Sequence, residues 1–138
     1  MPYLIAGLVL FFGVHLYSAF RSRAPGRDLR RRLGYAPFMG LYSLVAIAGF
    51  ALIIYGYDQA RWMGSLYFAP DWGRHVTMAL MLPAMIALAA AYLPTGRIRK
   101  ALKHPMLVAV KLWALGHLIA NGEWNSVILF TSFLAYAV

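Results

Sequence analysis

The sequence of 138 residues lacks cysteine altogether and has only four acidic residues. Without cysteine the chain can form no disulfide, thiolate nucleophile, iron–sulfur cluster or cysteine-ligated zinc site. Charged residues make up 12% of the chain, about half the share in an average soluble domain, while 62% of its residues are hydrophobic. A water-soluble fold would leave much of this apolar surface uncovered, so the composition predicts an integral membrane protein.

Positive charge is plentiful by contrast. Thirteen lysines and arginines give a formal net charge of +9, and they gather at the ends of apolar runs. Such clusters suit contact with the anionic head groups of lipids. The sequence contains no basic and aromatic pattern typical of a nucleic-acid surface. We therefore expect the lipid bilayer as a partner and no nucleic acid. The N-terminus lacks the features of a cleaved signal peptide, so the first apolar run is expected to be retained.

Five apolar runs follow one another along the chain. They cover residues 3–20, 34–57, 75–93, 105–121 and 124–138. A helix rises about 1.5 Å per residue and a bilayer core is about 30 Å thick, so the fifth run, at roughly 22 Å, is short for a crossing. The predicted fold is all-α: an integral membrane helical bundle of about five transmembrane helices, forming one domain over residues 1–138.

The charges of the loops predict an orientation. The loops at 21–34 and 94–103 are strongly basic, whereas the loop at 58–74 carries two acids and two arginines. Because basic loops stay in the cytoplasm, the N-terminus is expected on the far side of the membrane and the C-terminus in the cytoplasm. Aromatic residues near the neutral loop are expected at the membrane surface. They are Tyr55, Tyr57, Trp62, Tyr67 and Trp72.

Glycine and proline give local predictions. Gly40 and Gly49 are expected to allow another helix to approach the second run closely. Pro83 is expected to bend the third helix. Proline just after His104 suits the first turn of the fourth helix. Gly122 is expected to end that helix in the left-handed conformation.

Four histidines are prominent among so few polar residues. His15 and His117 lie within apolar runs on separate helices, where each must find a partner or remain costly to bury. Neutral imidazole ligates iron well and an apolar bundle can enclose a porphyrin, so these two are candidate haem ligands. His75 and His104 lie at helix ends, where hydrogen bonding or contact with lipid phosphates explains them better than ligation does.

Depth along the helices leaves the choice of ligand pair open. Counted from the expected cytoplasmic ends of their helices, His15 and His117 differ in depth within the membrane by roughly 8 Å. Two axial ligands of one haem should differ by only a few ångströms, so this pair requires helix tilt or an offset. His75 matches His117 better in depth, and it is therefore the alternative ligand.

Lys111 is the only formally charged residue inside the fourth run. Its side chain is expected to extend to the membrane surface, as long basic side chains do, or to pair with a haem propionate. No acidic residue lies nearby in the sequence. Trp113 precedes His117 by one helical turn and shares its face. It is expected to pack within the bundle or against a porphyrin.

Three segments carry a resemblance to a known family: GVHLYSAFR at 13–21, RRLGYAPFMGLYSLVAIAGF at 31–50 and HPMLVAVKLWALGHLIANG at 104–122. The chain resembles NnrU-family membrane proteins over essentially its whole length. The resemblance implies a role in bacterial denitrification and nitric oxide metabolism, at the inner membrane. It also implies a relation to the plastid 15-cis-zeta-carotene isomerase, whose b-type haem is held by two histidines. The positions that match those histidines are His15 and His117.

The resemblance implies several functions. With both axial positions of a b-type haem filled by imidazole, electron transfer or redox sensing follows most directly. One alternative is a haem-dependent cis–trans isomerase of a polyene, although the cysteine of the carotene isomerase has no counterpart here. Another is a cofactor-free accessory or assembly protein for nitric oxide reductase or other denitrification proteins. A weaker similarity, around His104, is to isoprenylcysteine methyltransferase-like enzymes that use S-adenosylmethionine.

Overall fold

The computed structural model describes residues 1–21, 26–94 and 96–138. It divides into two compact units, Met1–Ala60 and Arg61–Val138. Parts of the two predicted basic loops, at residues 22–25 and 95, lie outside the described residues.

Helices make up most of the described chain. The α-helices are α1 (Pro2–Phe20), α2 (Leu29–Leu33), α3 (Tyr35–Gln59), α4 (Gly73–Tyr92), α5 (Gly96–Leu102), α6 (Pro105–Ala120) and α7 (Trp124–Ala137). A short 3-10 helix covers Arg61–Met63. The described residues form no strand, and an isolated β-bridge joins Ser65 to Glu123. The all-α prediction is confirmed.

Five of these helices correspond to the five predicted apolar runs. Three of them, α1, α3 and α4, have 19, 25 and 20 residues and are long and apolar enough to cross a membrane. The other two, α6 and α7, are apolar but shorter, with 16 and 14 residues. Large hydrophobic side chains on the long helices are exposed, including Val9, Leu44 and Leu82 at 65%, 67% and 68%. The predicted integral membrane helical fold is confirmed.

In the first unit α1 and α3 pack closely because glycines remove side chains where the helices meet. A Cβ built on Gly7 would lie 2.6 Å from the backbone of α3, and one on Gly49 would lie 2.7 Å from the backbone of α1. A Cβ on Gly56 would overlap the backbone of α1 at Leu4. The prediction of close approach is confirmed at Gly49. It is wrong at Gly40, where an added Cβ would meet nothing within 4 Å.

The first basic loop contains the short helix α2, which was not predicted from the sequence. Asp28 caps this helix, since its carboxylate accepts a hydrogen bond from the backbone N–H of Arg30 at 3.1 Å. The same carboxylate pairs with Arg21 at 3.0 Å. Asp28 is only 3% exposed, so the pair and the cap offset the cost of burying its charge.

In the second unit α4 and α6 pack through small residues, which let helix backbones approach closely. The buried alanines of these two helices are Ala84, Ala87, Ala90, Ala109 and Ala114. Thr77 adds a polar link between the helices, because its hydroxyl lies 2.5 Å from the carbonyl oxygen of Gly116. It also lies 2.9 Å from the carbonyl oxygen of Gly73 on its own helix. The helix α4 continues through Pro83.

The loop before α4 covers the C-terminal end of α6. The backbone N–H of Leu66 donates to the carbonyl of Gly122 at 2.7 Å, and that of Trp124 donates to the carbonyl of Gly64 at 3.1 Å. The left-handed conformation predicted for Gly122 is wrong, because this residue is not among the described glycines with positive φ. Glycine is required there for another reason: a Cβ would overlap the carbonyl oxygen of Tyr67.

Candidate functional site

His15 lies on α1, in a half-buried position. Its Nδ1 is 2.5 Å from the carbonyl oxygen of Phe11, one helical turn earlier. The centroid of its ring lies 4.3 Å from that of Phe11 and 5.6 Å from that of Tyr42 on α3. A backbone hydrogen bond and two aromatic rings therefore orient this imidazole within the first unit.

His117 repeats this arrangement near the end of α6. Its Nδ1 is 2.7 Å from the carbonyl oxygen of Trp113, again four residues earlier. Its ring stacks on Phe130 of α7, with centroids 4.7 Å apart and planes inclined by 24°. The ring of Trp113 lies 5.3 Å away. Packing between α6 and α7 thus fixes the plane of the imidazole.

The bond to a backbone carbonyl determines which ring nitrogen carries the proton. A carbonyl oxygen only accepts, so Nδ1 must donate, and in a neutral ring Nε2 then holds the lone pair. Metal-ligating histidines are commonly oriented by such a bond from their other nitrogen. The two predicted ligands, His15 and His117, therefore have the tautomer that an axial haem ligand requires. In this respect the two side chains fit the haem that the resemblance implies.

Lys111 is half-buried on α6. It lies six residues before His117, which is about 9 Å along the helix axis. It forms no hydrogen bond or ion pair with any residue that the structure describes. Lys111 is thus a cation within an apolar helix that has no acidic partner among the described residues.

Trp113 joins α6 to both of its neighbours. Its ring lies 4.9 Å from that of Phe130 and 5.5 Å from that of Phe133, both on α7. It also lines an apolar cavity of about 210 Å³ between α4 and α6, together with Met81 and Met85. The packing role expected of Trp113 is confirmed, whereas its contact with a porphyrin stays a prediction.

The two remaining histidines are exposed and lie at helix ends. His75 is in the first turn of α4 and His104 directly precedes α6 without capping it through its side chain. Thr77, two residues after His75, contacts the carbonyl oxygen of Gly116, the residue before His117. This contact places the first turns of α4 beside the part of α6 that carries His117. No hydrogen bond or ring contact joins His75 to His117 in the described part of the chain.

The predicted site residues are divided between the two units. His15 belongs to the first unit, and Lys111, Trp113, His117 and the alternative ligand His75 belong to the second. The pairing of His15 with His117 therefore stays a prediction. Across residues 1–21, 26–94 and 96–138, no group of three or more His, Asp or Glu side chains could hold a metal ion. A haem iron takes four ligands from the porphyrin and needs only two from the protein.

Two polar contacts beside His117 were not predicted. The hydroxyl of Tyr67 donates to the carbonyl oxygen of Leu118 and also lies 3.2 Å from that of Asn121. Burial raises the pKa of the Tyr67 phenol. Thr77 binds the carbonyl on the other side of His117. Thr77 could have been noticed in the sequence as a hydroxyl inside an apolar run. Tyr67 was predicted only to lie at the membrane surface.

Comparison with protein families gives one match. The sequence model described as NnrU protein matches residues 3–138, which is nearly the whole chain and includes both units. The resemblance predicted from the three sequence segments is therefore confirmed. Comparisons with curated proteins and with solved structures found no match.

Proposed function

This chain belongs to the NnrU family, and on that premise we propose that it binds one b-type haem, with His15 and His117 as axial ligands. We propose electron transfer or redox sensing in nitric oxide metabolism as its function. The apolar helices support the lipid bilayer as its environment. The proposed location is the inner membrane of a bacterium, with the N-terminus in the periplasm and the C-terminus in the cytoplasm.

The observation that carries this proposal is the matched pair of Nδ1 hydrogen bonds. In both histidines the acceptor is the carbonyl of an aromatic residue four positions earlier, at 2.5 and 2.7 Å. This bond satisfies Nδ1 within the helix itself, so in a neutral ring Nε2 is the nitrogen that can ligate a metal. The two histidines lie on different helices and share this orientation, which is the one that a metal-ligating imidazole commonly takes.

The surroundings of the two imidazoles support the same proposal. The rings of Phe11 and Phe130 lie within 5 Å of His15 and His117 respectively, as centroid distances. These aromatic rings cover part of each imidazole and limit the orientations that it can take. Lys111 supplies a cation within an apolar helix, and we propose that it pairs with a propionate. Trp113 would then contribute to the apolar wall.

A b-type haem held by His15 and His117 would supply one-electron transfer. The task of this chain is then to hold two imidazoles at a fixed orientation. The i−4 backbone bonds prevent each ring from turning about its bond to Cβ. Packing by α3 on one histidine and by α7 on the other limits motion further.

Absorption spectroscopy of the purified protein tests this proposal. The full chain is produced with haem supplied and purified in detergent, and spectra are recorded in the oxidised and reduced states. We expect sharp low-spin bands for the native chain. These bands should be lost in His15→Ala and in His117→Ala, because each removes an axial ligand, and added imidazole should restore them in part. His104→Ala is the matched control, since this exposed histidine is not a proposed ligand.

The other outcomes separate the alternatives. Loss of the low-spin bands in His75→Ala with retention in His15→Ala would replace one proposed ligand by the other. A native chain that stays folded and contains no haem would support the cofactor-free accessory role. Conversion of a cis-polyene by the haem-loaded chain would support the isomerase.

A further inference from the structure

A pocket of about 250 Å³ lies in the second unit where α4 ends and α6 begins. One side of it is lined by the side chains of Arg99, Lys103 and His104. The other side is apolar and includes Ala91 near the end of α4 and Leu107 in the first turns of α6. The pocket therefore combines a cationic wall with an apolar wall that continues onto two membrane helices.

The positive charge of this pocket has no counter-ion in its own unit. The two acidic residues of the second unit are Asp71 and Glu123, which precede α4 and follow α6. Both therefore lie at the far ends of these helices, and α6 alone is about 24 Å long. Neither Arg99 nor Lys103 forms an ion pair with a residue that the structure describes. No acidic residue of this unit is therefore placed to neutralise the pocket.

We propose that this pocket binds the phosphate group of an anionic phospholipid. The guanidinium of Arg99 and the ammonium of Lys103 are strong donors to phosphate oxygens, and the imidazole of His104 adds another donor. Basic pockets between membrane helices commonly accept such head groups. Free phosphate would pair with the same cationic side chains, but it has no acyl chain to cover Leu107 and Ala91. The proposal does not depend on haem binding.

Native mass spectrometry of the full chain tests the proposal. The protein is extracted in a neutral detergent, stripped of lipid and titrated with phosphatidylglycerol or with phosphatidylcholine, whose head group has no net charge. We expect one phosphatidylglycerol per chain to bind before any other and at least about 10-fold more tightly than phosphatidylcholine. The double variant Arg99→Gln/Lys103→Gln should lose this preference.

The matched control is Arg97→Gln/Lys100→Gln. It removes the same charge from the same basic segment, residues 97–103, but neither residue lines the pocket. We expect this control to keep its phosphatidylglycerol within about 2-fold of the native affinity. Equal losses in the two double variants would overturn the proposal, because they would indicate a diffuse attraction to anionic lipid.

Two further measurements keep the result interpretable. The single variant Arg99→Gln changes an exposed side chain, so it reports on binding even if the double variant unfolds. Inorganic phosphate at millimolar concentration is added as a competitor. We expect it to displace little lipid, because it makes no apolar contact. Full displacement, with no preference for the lipid, would identify free phosphate as the ligand and overturn the assignment to phospholipid.

Discussion

At the scale of single residues, the chemistry of both proposed ligands is determined by their own helices. His15 and His117 each donate Nδ1–H to the carbonyl four residues earlier. Such a carbonyl already accepts a helical N–H, and its second lone pair can accept the imidazole proton. The tautomer therefore requires no partner from another segment. What another segment supplies is the aromatic surface that fixes the ring plane, from Tyr42 and Phe130.

Tyr67→Phe should destabilise the second unit. Its hydroxyl is the donor to the carbonyl of Leu118 at the end of α6, and a hydrogen bond of this kind contributes about 1 kcal/mol. Chemical unfolding in detergent measures the difference from the native chain. Tyr92→Phe is the matched control, because Tyr92 is 75% exposed and makes no hydrogen bond with the described residues. Equal effects of the two substitutions would contradict the assigned role.

The contribution of Tyr67 should also depend on pH. Burial raises its pKa above the ordinary value of 10.0, so the folded state holds the phenol proton more tightly than the unfolded state. The stability linked to that proton is complete below pH about 10 and is lost as pH rises through the folded pKa. The difference in unfolding free energy between the native chain and Tyr67→Phe should therefore shrink above pH 10. A difference that stays constant to higher pH would contradict this linkage.

At the scale of secondary-structure elements, small residues decide how closely the helices pack. In the first unit the contact between α1 and α3 contains Gly7, Gly49 and Gly56, whose missing Cβ atoms would overlap backbone. In the second unit alanines and Gly116 have the corresponding role between α4 and α6. In lipid, where apolar side chains gain little by meeting one another, such close packing supplies much of the attraction between helices.

Gly56→Ala should destabilise the first unit by about 1–3 kcal/mol, because the new methyl group would overlap Leu4 and the helices would have to separate. Gly40→Ala provides the matched control. It places the same methyl group on the same helix in open space, where alanine favours the helix by up to about 1 kcal/mol. Unfolding followed by circular dichroism in detergent measures both. A loss of stability in Gly40→Ala as large as that in Gly56→Ala would contradict the assigned contact.

At the scale of the whole molecule, one family match covers both units, so residues 3–138 are recognised together. The expectation of a single domain over residues 1–138 remains a prediction. Charge is distributed unevenly along the chain. Arg30, Arg31 and Arg32 follow one another on α2, and four more basic residues lie between 97 and 103. The loop between these regions is close to neutral and exposes aromatic side chains such as Trp62 and Phe68.

Labelling of introduced cysteines tests the predicted orientation. The native chain has no cysteine, so Arg32→Cys and Phe68→Cys each create a single reactive thiol at an exposed position. In intact bacterial cells, a maleimide that cannot cross the inner membrane should label Phe68→Cys, because the neutral loop is expected in the periplasm. Arg32→Cys should react only after that membrane is opened. The native chain is the unlabelled control, and the reverse pattern would contradict the orientation.

Most residues of the candidate site could be predicted from the sequence, but few of their contacts could. His15, His117, Lys111 and Trp113 were identified because polar or aromatic groups in an apolar run require an explanation. For Lys111 the sequence slightly favoured snorkelling over pairing with a haem propionate, and the outcome depends on what lies beside the helix. Only the tertiary structure shows the Nδ1 bonds, the Thr77 link and the Tyr67 contact, because each depends on a side-chain rotamer.

The sequence by itself determined the five apolar helices, the exclusion of cysteine chemistry and the family, because run length, composition and motif are properties of the linear chain. Tertiary structure decided which small residues matter. Gly49 and Gly40 lie on the same helix and look alike in sequence, but only Gly49 faces the neighbouring helix. Gly122 was predicted for its backbone freedom and is instead required by the approach of Tyr67. Helical periodicity defines faces, and only the packing of a second segment determines which face is covered.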